Sequence, residues 1–507
     1  MASDELTPMG RSAPPRAALL VEALRGLGYS TATALADIVD NSIAAEASRV
    51  DISFVWNGES SYITLLDDGA GMSDAELERA MRLGEIDPLG PRSQGDLGRF
   101  GMGLKTASFS QCRRLTVASK KSGEQCENCL RWDLDYLAAA KDHGWILLEG
   151  AAPGSEGLLG ALREKSRGTV VLWEVLDRVV TAGYREQDFV DLIDRVEFHL
   201  GMVFHQFIAG SARRVAIYLN GRPVPAWDPF MTSHTATWSS PEEVVVAPSG
   251  PVVVQCHVLP HRDRLDEKQI ARAGGPDGWT SHQGFYVYRN KRLLVAGSWL
   301  GLGRGRPWTK EEAFRLARIR LELTNGADAD WKIDIRKAVA RPPVALRERL
   351  TRLAEDTRER ARRVFAHRGQ VNRPGGGGVP VEEAWRAEHT KAGVRYRIDE
   401  GHAAVRAVLE QAGDLEAQIR MMLRVIEETV PVQRIWLDTT EATETPRTGF
   451  AVDPPADVLA VLNELYRGMV LRRGMAPEVA KERLRRTEPF HRFPDLIDQL
   501  PDEMPRE

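Results

Sequence analysis

The chain has little cysteine, no long apolar run and no excess of charge of one sign, and each shortage closes off a class of protein. Four cysteines in 507 residues (Cys112, Cys126, Cys129 and Cys256) cannot supply a disulfide framework for a chain of this size, and they fit a reducing, cytoplasmic setting. Cys126-Glu-Asn-Cys129 has the spacing of half a zinc site. The second half is missing, because the adjacent Cys256-His257 pair suits a tetrahedral ion badly, which leaves a turn with two thiols between strands. No stretch reaches the roughly 18 apolar residues of a transmembrane helix, so no membrane partner is expected. The N-terminal MASDELTPMGRSAPPR carries acids early and no apolar core, so it reads as a short disordered tail, 1–16, and not as a secretory signal. A net charge of -4 gives no bulk attraction to nucleic acid. What is present, 43% hydrophobic and 28% charged residues, is an ordinary globular composition, and the length exceeds one core.

Hydrophobic periodicity divides the chain. Ala17 to Leu27, Leu35 to Ala47, Ser73 to Leu83 and Leu104 to Gln111 read as helices; Arg49 to Trp56, Ser61 to Leu66, RRLTVASKK and Gly168 to Leu176 read as strands. Strand spacing is too mixed for a parallel βαβ series, so residues 17–182 are expected to form an α/β sandwich with a mixed sheet. Residues 183–343 look like a second α/β unit, with a long helical stretch (FVDLIDRVEFHLGMVFHQFI), a hairpin turning at Asn220-Gly221, and a further strand pair bent near Arg289-Asn290. An Arg-rich helix follows at 344–366, whose ordinary reading is a salt-bridged surface and whose alternative is a phosphate-binding stripe. Residues 367–380, with RPGGGGVP, form the clearest linker. Residues 381–507 read as mostly helical; Trp385, Tyr396 and Trp436 are expected in that region's core, with a contact surface as the alternative. The fold class is therefore α+β.

Four segments carry chemistry. In Ala34 to Ser42, ALADIVDNS, the apolar Leu35, Ile38 and Val39 share one helix face while Asp37 and Asn41, four apart, share another. Asp67-Asp68-Gly-Ala-Gly-Met72 directly follows an apolar strand; a carboxylate at a strand end can accept from an exocyclic amine, and Gly69 and Gly71 let a ligand come close. In LGRFGMGLKTAS, glycines run straight into a helix, a natural cradle for phosphate. The loop is no Walker A, lacking GxxxxGK[ST], and no Rossmann fingerprint, since a helix precedes it. Gly168-Thr169 opens a strand.

In order and spacing these four segments resemble the GHKL ATPase superfamily: topoisomerase ATPase subunits, MutL, heat-shock chaperones of the ninety-kilodalton class, histidine kinases and MORC proteins. The resemblance implies a Bergerat-type sandwich that binds ATP and Mg²⁺. It implies that Asn41 is the Mg²⁺ ligand, that Asp37 polarises the attacking water, and that Asp67 accepts the adenine amine. Gly69, Gly71 and Met72 would pass under the base, Gly98, Gly101 and Gly103 would wrap the phosphates with Lys105 and Thr106 near them, and Thr169 would support the adenine end. One departure stands out: the family's base is Glu, and Asp37 is one methylene shorter, which implies slow turnover. Asp40 is an alternative base, pointing further round the helix. The second unit resembles the family's transducer domain, where a lysine reports the γ-phosphate; Lys337 occupies the expected place, with Lys332, Lys291 and Arg336 as competitors.

The fold beginning near residue 17 leaves no room for a histidine-kinase hairpin, and no nuclease metal motif or acidic chaperone middle region is visible. The arrangement is closest to prokaryotic MORC-like ATPases. It implies an ATP-gated homodimerising switch, with the segment Gly84 to Gly103 ordered by ATP. Such a switch would act in DNA manipulation or phage defence, with double-stranded DNA and a partner nuclease or helicase as candidate partners. The alternatives are a chaperone-like remodeller and a nucleotide-binding scaffold with little hydrolysis.

Overall fold

The structure, a computed structural model, describes residues 15–502 except 27, 86–102, 141–143, 211–213, 248–249, 276, 329, 334–339, 367–370, 374–375, 380–381, 391–392 and 436–455. The chain separates into two compact units, 1–365 and 366–507.

Helix α1 (Ala17–Arg25) leads into α2 (Thr31–Ala44), whose N-terminus is fixed by a capping box between Ser30 and Thr33. There follow β1 (Arg49–Val55), β2 (Tyr62–Asp67), α3 (Asp74–Met81), α4 (Gly103–Phe109), β3 (Arg114–Lys120), β4 (Asn128–Asp133), α5 (Leu134–Ala139), β5 (Leu148–Glu149), α6 (Gly160–Arg163) and β6 (Gly168–Glu174). Then come α7 (Glu186–Val203), α8 (His205–Ile208), β7 (Ala216–Leu219) and β8 (Arg222–Pro223). The strands form one mixed sheet in the order β5-β4-β3-β6-β2-β1-β7-β8, antiparallel except for β1 beside β7. Leu35, Ile38 and Val39 of α2 are buried in the core between helices and sheet, as their spacing predicts. The sequence pattern missed β4: Cys129 lies in that strand, while Cys126 is exposed just before it. Among the described residues no group of three or more His, Cys, Asp or Glu is placed to hold a metal ion.

The edge of this sheet differs from the sequence reading. Residues 183–224 were assigned to the second unit, yet β7 pairs in parallel with β1, and Phe189, Val196, Leu200, Ile217 and Val224 bury in the first core. The β7–β8 turn at Asn220-Gly221 has φ of 47° and 79°, the left-handed pair of a tight hairpin. A strand pairing made with a segment more than 160 residues away is invisible to a local pattern.

The second sheet runs β10 (Glu243–Ala247), β11 (Gly250–Val258), β14 (Ala317–Leu323), β12 (Gly284–Arg289), β13 (Arg292–Ser298), with β9 (Trp238–Ser239) on β11 and only β12–β14 parallel. Two short helices, α9 (Glu267–Gly274) and α10 (Gly278–Ser281), precede β12, and α11 (Val344–Ala366) covers the sheet. Leu346, Leu350, Ala354 and Ala361, spaced by four and seven, pack on it. The arginines of α11 have internal partners: Arg349 with Glu243 at 2.7 Å, Arg352 with Glu348 at 2.9 Å, Arg362 and Arg363 with Glu359, Arg347 with the Pro342 carbonyl, Arg360 over Trp238, and Arg358 boxed by Phe314, Trp308 and Trp299. The helix is salt-bridged and ring-stacked, which favours its ordinary reading over a phosphate stripe.

In the 366–507 unit, the residues read as a linker include paired strands Val371–Arg373 and Gly376–Val379, and Trp385–Thr390 pairs with Gly393–Ile398 ahead of the helices. Leu462, Leu465, Tyr466, Ala480, Leu484, Phe490 and Ile497 make its small core. Tyr396, expected inside, is exposed; Trp385 is half-buried, and Trp436 lies outside the described residues. No described helix is long and apolar enough to cross a membrane.

Leu350 is fully buried between α11 and the second sheet. Leu350→Ala is expected to destabilise the chain by about 2–5 kcal/mol, the cost of lost burial plus a cavity. Urea unfolding measures this, and a loss below about 0.5 kcal/mol would mean that α11 is not packed as described.

Candidate functional site

The site lies between α2 and the end of β2. Asp67 ends β2 almost wholly buried, with Ser42 Oγ donating to its Oδ2 at 2.7 Å and the Gly69 N–H to its Oδ1 at 2.9 Å. Burial is the largest influence on this carboxyl and holds its pKa above the usual carboxylate range despite those hydrogen bonds. Its neighbour Asp68 is different. Burial is opposed and outweighed by the Ser48 hydroxyl and the N–H groups of Ser48 and Arg49, so its pKa is lowered, and its two oxygens are spent on fixing the start of β1. Of the two acids, Asp68 braces the start of β1, while Asp67 is held by the Ser42 hydroxyl and the Gly69 N–H beside the glycine turn.

The backbone around Asp67 is glycine by necessity. Gly71 has φ +70°, and a Cβ there would lie 1.9 Å from the Lys120 carbonyl oxygen. At Gly168, φ is +139° and a Cβ would lie 2.1 Å from the Asp67 carbonyl oxygen. Gly69 closes against Ala45, whose carbonyl takes the Ala70 N–H at 2.8 Å. Thr169 stands opposite Asp67 in the β2–β6 register, and its hydroxyl lies 2.8 Å from Ser119 Oγ, which in turn accepts the Met72 N–H at 2.8 Å. Asp67, Gly69, Gly71, Met72 and Thr169 are thus brought together at one end of the sheet.

On α2, Asn41 is exposed, whereas Asp37 and Asp40 are only 3% and 2% exposed. The polar helix face is therefore not open throughout. Tyr29 Oη donates to Asp37 Oδ2 at 2.9 Å. Arg292, at the start of β13, reaches Asp40 with Nε at 3.1 Å, and its Nη2 lies 3.8 Å from Asp37 Oδ1. Asp40 turns to that arginine, which gives a structural use to the residue considered as an alternative base. Gly103 opens α4 beside Asp37: a Cβ there would lie 3.8 Å from Asp37 Oδ2. Thr106 is fully buried, and Lys105 is buried with its Nζ donating to the Ala80 carbonyl at 2.8 Å, at the end of α3. Gly98, Gly101 and Lys337 lie outside the described residues, as does Arg336; Lys332 and Lys291 are exposed.

Sequence reasoning missed Tyr29, Ser42, Ser119 and Arg292. Ser42 was findable, since it directly follows Asn41 and presents a hydroxyl one turn along from Ile38. Arg292 was not, because nothing local says that the β12–β13 turn meets α2.

Residues 29–169 match the family of histidine kinase-, DNA gyrase B- and HSP90-like ATPases. This segment has the GHKL fold. It is also similar to MORC ATPases: 33% identity over 91 residues with ATPase morc-1 of Caenorhabditis elegans, covering 18% of this chain and 10% of that protein, and 32% over 100 residues with ATPase MORC2 of Homo sapiens, covering 19% and 9%. The chain thus spans about a tenth of the length of the curated relatives it matches. Among solved structures, the ATPase and transducer domains of DNA topoisomerase II from Balamuthia mandrillaris align with 66% of this chain and 82% of that one, at 11% identity and a TM-score of 0.37. The matched stretch contains every feature of the GHKL domain described above from Tyr29 to Thr169; Arg292 lies beyond it.

Burial lowers the Lys105 ammonium to about 8. Its pKa in the folded chain is therefore below that of the unfolded chain, about 10.4. Between those two pH values the unfolded chain holds more protons, so the contribution of Lys105 to stability rises with pH in that window and is lost as pH falls through the lower value. Measured by urea unfolding, the stability of the parent relative to Lys105→Met is expected to rise by about 1–2 kcal/mol from pH 7.5 to 9.5. A difference that is flat across this range would contradict a buried ammonium.

Proposed function

We propose that the chain is a Mg²⁺-dependent ATPase that works as an ATP-gated dimerising switch, slow in turnover and coupled to DNA through a partner protein. The observation that carries the catalytic part is the placement of Asp67, a buried acceptor in a glycine cradle, bonded by Ser42 of the same helix that carries Asp37 and Asn41. The donor set fits the ligand: a carboxylate ringed by glycine backbone suits an exocyclic amine, and the exposed amide oxygen of Asn41 is a hard ligand of the kind Mg²⁺ takes beside phosphate oxygens and water. Mg²⁺, held there by Asn41, would supply charge neutralisation on the phosphates. Asp37 would orient and polarise the attacking water with its position fixed by Tyr29, and Lys337 is proposed to approach the γ-phosphate. Phosphoryl transfer asks the protein mainly for positioning and charge, which is what these residues offer. The DNA and dimer elements rest on the resemblance to MORC ATPases.

One observation favours a second reading. Asp37 is short, nearly buried and hydrogen-bonded by Tyr29, which suits a scaffold that holds nucleotide and rarely cleaves it.

Steady-state ATP hydrolysis with Mg²⁺ separates the two. The parent is expected to turn over ATP slowly, Asp37→Ala and Asn41→Ala to lose at least about tenfold, and double-stranded DNA to raise the parent's rate. Nucleotide binding with no hydrolysis, and with Asp37→Ala behaving as the parent, would leave the scaffold. No binding at all would contradict both.

A further inference from the structure

The feature left over by this reading is a charge cluster that joins helix α2 to the second sheet. Three ionisable side chains, Asp37, Asp40 and Arg292, are each no more than 5% exposed. Arg292 spends Nε on both Asp40 oxygens, at 3.1 and 3.3 Å, and Nη1 on the Leu293 carbonyl at 2.7 Å. That orientation leaves Nη2 toward Asp37 Oδ1 at 3.8 Å, an ion-pair distance beyond hydrogen-bond range. The arginine is delivered by a tight turn, with Asn290 and Lys291 at φ 50° and 69°, and its guanidinium lies 5.8 Å from the Phe204 ring.

We propose that Arg292 is a positioning residue for ATP hydrolysis: by clamping Asp40 it fixes α2, and with it Asp37 and Asn41, so that docking of the second sheet's hairpin sets the rate of the chemical step. This rests on the ATPase reading above. Asp40 adjoins Asn41 and lies one turn from Asp37, and a helix moves as a body, so the clamp acts on both. A shift of the hairpin by about 1 Å would exchange the Asp40 bonds for one to Asp37 Oδ1 and take that oxygen from the water; displacements of this size cost on the order of a hundredfold in rate. The same geometry compensates for the departure from Glu, since a shorter carboxylate tolerates less error in the backbone that carries it. Arg292 touches no reacting atom in this scheme and acts through Asp40 and Asp37.

The test uses the full chain and measures the Kd of a non-hydrolysable ATP analogue, kcat, KM and the thermal midpoint. Arg292→Gln is expected to bind the analogue within about threefold of the parent while kcat falls at least about tenfold, with Arg292→Lys recovering part of the rate. The double variant Arg292→Gln/Asp40→Asn removes the Asp40 charge together with its arginine and carries the test if the single variant does not fold. Against the parent it is expected to bind the analogue within about threefold while kcat falls at least about tenfold. An unchanged kcat overturns the proposal, as does a loss of Kd, kcat and midpoint together with no recovery by lysine, which marks a merely structural pair. A parent without ATP turnover is seen before any variant is made; it overturns the ATPase reading, and this proposal with it.

Discussion

Two carboxylates buried on one turn of helix are the constraint on which the first unit depends. Asp37 and Asp40 are almost inaccessible, and an ionised carboxylate that is removed from water without compensation costs several kcal/mol. The compensation comes from outside the helix. Tyr29 reaches Asp37 from the chain just ahead of α2, and Arg292 reaches Asp40 from the second sheet. The second sheet is thereby more than an appendage of the nucleotide fold, because it supplies the cation that lets α2 keep its acids. Removing one partner of such a pair typically costs about 3–5 kcal/mol, more than most single contacts, so the helix and the hairpin must stay in register.

The other end of the site obeys a different rule. Asp67 has no cation beside it among the groups that set its ionisation; a hydroxyl and backbone N–H groups hold it. It is a shaped acceptor and not half of an ion pair. Glycines at 69, 71 and 168 keep side chains away from it, because a Cβ at any of the three would meet atoms at 3.0 Å or less. Charge is thus concentrated at the α2 end and hydrogen-bonding shape at the β2 end.

Local sequence made the helices and strands of the GHKL domain legible because their periodicity and caps are short-range: the ALADIVDNS helix, the strand into Asp67, and the strand opening at Gly168 all sit within a residue or a few of where the pattern puts them. The positions of Asp67, Gly69, Gly71 and Thr169 at the sheet end were readable for the same reason, each standing at an element's edge. What was hidden is long-range. The place of β7 beside β1 and the reach of Arg292 to Asp40 span 160 or more residues, and no window of residues contains both partners. The burial of Asp37 and Asp40 was not legible, because amphipathicity reports what a helix could expose, not what later covers it. Tyr396 shows the converse, an aromatic expected inside and found outside, in a unit whose core is built from later helices.

The most direct measurement is a crystal structure of the full chain with Mg²⁺ and a non-hydrolysable ATP analogue. The account predicts the adenine amine within hydrogen-bond distance of Asp67, Mg²⁺ on the Asn41 side-chain oxygen, and a water between Asp37 and the terminal phosphate. A nucleotide bound away from Asp67, or one whose phosphates point away from α2, would contradict it.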